Sequence, residues 1–161
     1  MTETTKGILA MIGACTIWGL SPIYYKLLAH VPASEVMAHR VAWSLIFFLA
    51  VLGLQGRLSA LQEAVSDLRR LGTIVLASAM ISTNWFLFIL GTQIGRNTET
   101  SLGYYIFPLV AVLLGRFVLK ERLGRLQWAA IMLAAAGVVA LTIGLGVAPW
   151  ISLALAVTFG F

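Results

Sequence analysis

Seven side chains carry most of the chemistry this chain offers: Trp18, Arg40, Trp43, Asn84, Trp85, Tyr104 and Tyr105, each set within or at the mouth of an otherwise apolar run. Their types suit recognition of a small molecule, not bond-making. Indole and phenol rings give stacking surface, amide and hydroxyl groups exchange hydrogen bonds, and a guanidinium attracts an anionic or polar group. Arg40 is the most costly of them, because a cation inside an apolar segment needs a partner or water. On a helix His39 and Trp43 share one face, while Arg40 and Ser44 share its neighbour. Two readings stand for Arg40: it sets the charge preference of a mouth, with Trp43 stacking on the solute, or it snorkels to the interface.

Asn84 follows Ser82 and Thr83 and precedes Trp85. At that depth its amide must face a cavity or another helix, as a solute ligand or as glue between spans. Thr100, Tyr104 and Pro108 fall on one helical face, with Ser101 and Tyr105 alongside. Pro108 removes an amide donor and frees the Tyr104 carbonyl, so a kink is expected there, and Pro22 after Trp18 and Ser21 offers a second. The two phenols serve either a solute path or an aromatic belt at the interface.

Enzyme signatures are missing. The chain has no glycine-rich phosphate loop, and His30 and His39 stand nine residues apart with no clustered cysteines to complete a metal site. Cys15 is single and lies in an apolar run, where packing is its expected role. No catalytic residue, metal or cofactor is expected. No Asp or Glu lies in the interior of any span; Glu35 and Glu99 sit at span edges and act only if a vestibule reaches them. Glu121, beside Lys120, Arg122 and Arg125, reads as a solvated loop carboxylate.

These side chains are held by apolar segments. With 60% hydrophobic and 11% charged residues and a mean hydropathy of +0.96, the 161-residue chain has too little polar surface for a water-soluble globule. A lipid bilayer is therefore its solvent, and continuous apolar runs exclude the alternating wall of a barrel, leaving helices. Spans are expected at Gly7 to Leu28, Val36 to Leu54, Leu71 to Gly91, Thr100 to Leu119 and Leu126 to Val147, with a partial sixth from Trp150 to Phe161. That sixth segment reaches only about 20 Å at about 1.5 Å per residue, against a hydrocarbon core of about 30 Å. The connection from Gln55 to Arg70 repeats Leu58, Leu61, Val65 and Leu68 at spacings of three and four, the pattern of an amphipathic interfacial helix. Ala130, Ala134 and Gly137 form a small-residue stripe on the fifth span, expected to let another helix approach.

The net charge of +5 sits mainly beside span ends, where it sets orientation and gives no case for nucleic acid. With the amino terminus cytoplasmic, the inner side holds Lys6, Arg57, Arg69, Arg70, Arg116, Lys120, Arg122 and Arg125, and the outer side Lys26, Arg40 and Arg96. An odd number of spans then leaves the end of the fifth outside, so a second copy would insert upside down, the geometry of inverted-repeat transporters.

The stretch Pro108 to Leu114, the turn Leu119-Lys120-Glu121-Arg122-Leu123, Gln127-Trp128 and the run Ala134 to Val139 with Gly137 resemble the helix, turn and helix that end each half of the EamA group in the drug/metabolite transporter superfamily. Ala38 to Ser44, Thr83-Asn84-Trp85 and Ser101 to Leu109 resemble its RarD subgroup more narrowly. The resemblance implies an inner-membrane permease of ten helices in two inverted five-helix halves around a midplane cavity, from a subgroup linked to chloramphenicol sensitivity. On that reading residues 1–147 are one five-helix repeat and residues 148–161 begin a truncated second. The missing half would lie in the same chain or in a partner. A half-size subunit working as a dimer, and a membrane scaffold or regulatory subunit that transports nothing, are the competing expectations.

Overall fold

The computed structural model describes residues 2–118, 120–146 and 150–160, and every regular element among them is an α-helix. They are α1 Glu3–Leu27, α2 Ala33–Leu54, α3 Leu58–Ser66, α4 Leu68–Gln93, α5 Asn97–Phe117, α6 Arg125–Leu145 and α7 Trp150–Gly160. Five of these, α1, α2, α4, α5 and α6, are long and apolar enough to cross a membrane, and α7 is a shorter apolar helix. Thus the expected all-α membrane architecture is present, and the chain is a multi-pass membrane protein. Leu119, Val147 and Phe161, which end expected spans, lie outside the described residues.

Local chemistry sets the boundaries. Thr2 caps α1 by accepting from the Thr5 amide, and Lys26 places a cation in its last turn, where the helix dipole favours one. Pro22 deprives the Trp18 carbonyl of its amide donor, and the Ser21 hydroxyl replaces it at 2.8 Å, so α1 continues across the proline. At the start of α6 the Gln127 side chain accepts from the Gly124 amide at 2.7 Å.

Asp67 corrects one expectation. Its carboxylate accepts from the Arg69 amide at 3.0 Å, ending α3 at Ser66 and starting α4 at Leu68. Leu68, Arg69 and Arg70 therefore open the third span instead of extending the amphipathic helix, because a capping Asp outweighs the continuity of an apolar pattern.

Packing centres on α4 and α5. Both α1 and α2 pack on α4, while α7 lies along α5 and also touches α4. The α5–α7 contact is close because Gly103 offers no side chain: a Cβ there would stand 2.8 Å from Leu155 Cβ and 3.0 Å from the Ser152 carbonyl oxygen. In lipid, such close approach supplies the van der Waals contact that drives helix association. Among the described residues the stripe of Ala130, Ala134 and Gly137 meets no other helix. All three are exposed, Gly137 meets nothing within 4 Å, and α6 turns Ile131, Ala135 and Val138 toward α5 instead. Bulkier side chains on that face bury more surface, so the small stripe is left outward.

Candidate functional site

Because α1 and α2 each rest on α4, the space between them is a cleft. It encloses about 560 Å³, with Tyr24, Tyr25 and Leu28 on one wall and Glu35, His39, Arg40, Trp43 and Ser44 on the other. A second cavity of about 310 Å³ lies between α1, α4, α5 and α7, lined by Trp18, Ser21, Pro22, Trp85, Phe88, Tyr104 and Phe159. A third recess shares Tyr25 and Arg40 with the first and Trp18 and Trp85 with the second. Volumes of this order suit a small organic molecule.

Arg40 lines both the cleft and the third recess, and meets the second cavity through Trp85. Its guanidinium carbon lies 3.3 Å from the centroid of the Trp85 ring, and its Nη1 donates to the Tyr25 hydroxyl at 3.0 Å. Trp85 is eight residues before the end of α4 at Gln93, so the pair lies about 12 Å below that end at about 1.5 Å per residue. The cation is thus turned inward onto an aromatic face and does not snorkel along its own helix to the interface.

From Trp85 the rings form a row. Trp18 stands 6.1 Å away, Phe88 5.7 Å, Tyr104 6.0 Å beyond Phe88, and Phe159 5.9 Å beyond Tyr104, mostly edge to face. Gln93 fixes the end of the cleft: its Nε2 donates to the carbonyls of Leu28 and Val31 at 3.0 and 3.1 Å, tying the α1–α2 turn to the end of α4.

Of the seven residues singled out from the sequence, Trp18, Trp85 and Tyr104 line the second cavity, and Arg40 joins them through its contact with Trp85. Trp43 lines the wider cleft but is largely exposed. Tyr105 is 71% exposed and, one residue from Tyr104, is turned about 100° away from the cavity. Asn84 is 1% exposed and faces α7, its Nδ2 donating to the Leu155 carbonyl at 2.9 Å and the Thr158 hydroxyl at 3.1 Å. It lines none of these cavities. Replacing Asn84 by Leu is expected to cost about 0.6 kcal/mol, the usual worth of such a bond between spans, read as a small fall in melting temperature of the purified protein.

Tyr25, Phe88 and Phe159 belong to the site and carry no distinguishing signal in sequence, since aromatic residues in apolar runs read as core or belt. Of the two edge carboxylates, Glu35 lines the cleft, whereas Glu99 is 2% exposed beneath α7 and meets Arg96 at 3.5 Å. No group of His, Cys, Asp and Glu among the described residues could hold a metal ion.

Comparison with known proteins gives this site a setting. Residues 5–143 match the family model described as the EamA-like transporter family. The chain is 43% identical over 161 residues to the "Uncharacterized transporter YojE" of Bacillus subtilis, covering 98% of this chain and 54% of that protein. It is 37% identical over 159 residues to "Protein RarD" of Escherichia coli, covering 99% and 54%, and 34% identical over 142 residues to the "Chloramphenicol-sensitive protein RarD" of Pseudomonas aeruginosa, covering 86% and 48%. The chain thus spans about half the length of the curated relatives it matches. No solved structure matches. The likeness read from the motifs around Arg40, Asn84 and Pro108 holds over nearly the whole length, and this chain belongs to the EamA-like transporter family.

Proposed function

We propose that this chain forms one half of an inner-membrane carrier that moves a small, flat organic solute by alternating access, two halves rocking about a midplane site. The observation that carries the reading is the recess that Arg40 and Trp85 share with Trp18 and Tyr25, charged and aromatic and set among helices long enough to span a bilayer. Relatives about twice as long support a second half, with residues 1–147 as the first repeat and α7 as the opening helix of the next. The bias of Lys and Arg toward one side supports a cytoplasmic amino terminus, which puts the α1–α2 turn and the mouth of the cleft outside. Trp18, Trp43, Trp85 and Tyr104 supply stacking surface, Arg40 and Tyr25 polar contacts. Asn84 keeps α7 against α4, and Tyr105 faces the second half or lipid.

The test is accessibility. In a background where Cys15 is replaced by Ala, Ser44→Cys places a thiol on the cleft wall. A membrane-impermeant maleimide added outside intact cells should label it, and a transported solute should slow the labelling. A thiol that never reacts from either side would identify a scaffold whose polar residues only pack.

A further inference from the structure

Among the described residues the guanidinium of Arg40 has no counter-ion. No carboxylate among them lies within 4 Å of it, although Glu35 lines the same cleft; the ion pairs present are Lys6–Glu3, Arg70–Asp67 and Arg96–Glu99. Among those residues its hydrogen bond is to the Tyr25 hydroxyl, which accepts from Nη1 and keeps its own O–H for another acceptor. Trp85 covers the flat face of the guanidinium, leaving donors at its edge. A half-buried, unpaired cation about 10 Å or more inside a membrane helix bundle is costly, and a negative partner removes most of that cost.

From this we propose that the solute is an organic monoanion with a flat apolar body, whose carboxylate or equivalent oxygen pair is gripped by the free edge of Arg40 and the Tyr25 hydroxyl while its body lies against Trp85 and Trp18. A guanidinium edge matches an oxygen pair in geometry as well as charge, which a lysine does not. Glu35 sets the charge at one. It sits five residues before Arg40, about 7 Å along α2, where it would repel a second negative group on a longer solute. His39, also on the cleft wall, is exposed. The proposal deepens the carrier reading and rests on it.

The test uses the full-length gene product in phosphatidylcholine nanodiscs, with 2-naphthoate, its neutral amide 2-naphthamide and the dianion naphthalene-2,6-dicarboxylate as probes, followed by calorimetry. The carboxylate is expected to bind about tenfold to a hundredfold more tightly than the amide, the worth of a charge-assisted hydrogen bond, and the dianion more weakly than the monoanion. Arg40→Gln should abolish the preference and Arg40→Lys should retain part of it. Equal binding of carboxylate and amide to the unaltered protein, or no binding of the carboxylate, overturns the proposal and needs no variant to fold. So does a carboxylate that binds only weakly here and is displaced by phosphatidylglycerol added to the disc, which would make Arg40 a lipid-headgroup site. Labelling at Ser44→Cys without added solute needs none of the three probes, so failure of the anion proposal is distinguishable from failure of the carrier reading.

Discussion

Trp85→Ala is expected to weaken 2-naphthoate binding by about thirtyfold, about 2 kcal/mol at about 1.4 kcal/mol per tenfold, for the aromatic surface lost from beneath the solute. The ring does two things at once. It is the platform on which the Arg40 guanidinium rests at 3.3 Å, and it joins Trp18 to Phe88 in the aromatic row. Without it the guanidinium is free to swing on its flexible stem toward the nearest water, and the anion loses its fixed partner. Truncating a tryptophan also costs stability, about 3–5 kcal/mol where the ring is well packed, and that loss must be separated from the loss of binding. Trp85→Phe provides the separation, since it restores a ring face and much of the volume. Its affinity should recover toward that of the parent, while its melting temperature reports the packing alone. An Ala variant that elutes as a folded protein and binds the probe unchanged would remove Trp85 from the site.

The spans were legible in the sequence because a bilayer imposes one requirement on every residue of a helix that crosses it, and a run of apolar side chains meets that requirement whatever its neighbours are. Family membership was legible too, through stretches such as Ala38 to Ser44 and Ser101 to Leu109. Helix rotation was not legible. Tyr104 and Tyr105 are equivalent as letters, yet one reaches Phe88 and Phe159 and the other is left outside, because adjacent residues diverge by about 100° and only packing decides which one turns inward. Asn84 shows the same gap. Its cost in lipid was plain, and the partner that met it, a helix some seventy residues later, was not. The stripe of Ala130, Ala134 and Gly137 permits close approach without compelling it, and among the described residues α6 buries a different face.

Gly103→Val is expected to lower both thermal stability and solute affinity, which ties the packing of α7 to the cleft. A side chain on this residue meets Leu155 Cβ at 2.8 Å and the Ser152 carbonyl at 3.0 Å, and neither can yield without moving the α7 backbone. Helix propensity works the other way, since replacing a mid-helix glycine gains up to about 1 kcal/mol. Overpacking at about 1–3 kcal/mol, raised further by contact with rigid backbone, outweighs that gain. Gly53→Val makes the same exchange on α2 where nothing lies within 4 Å, and it should leave the melting temperature unchanged or slightly raised. The functional consequence follows from Phe159. It stands on α7 and closes the aromatic row against Tyr104 and Phe107 at 5.9 and 4.8 Å, so a displaced α7 opens the far wall of the smaller cavity. Loss of stability at Gly103→Val with unchanged probe affinity would show that α7 supports the bundle without shaping the cleft. Loss of both would place the helix that follows the fifth span in the working site, where a carrier built from two rocking halves needs a shared wall.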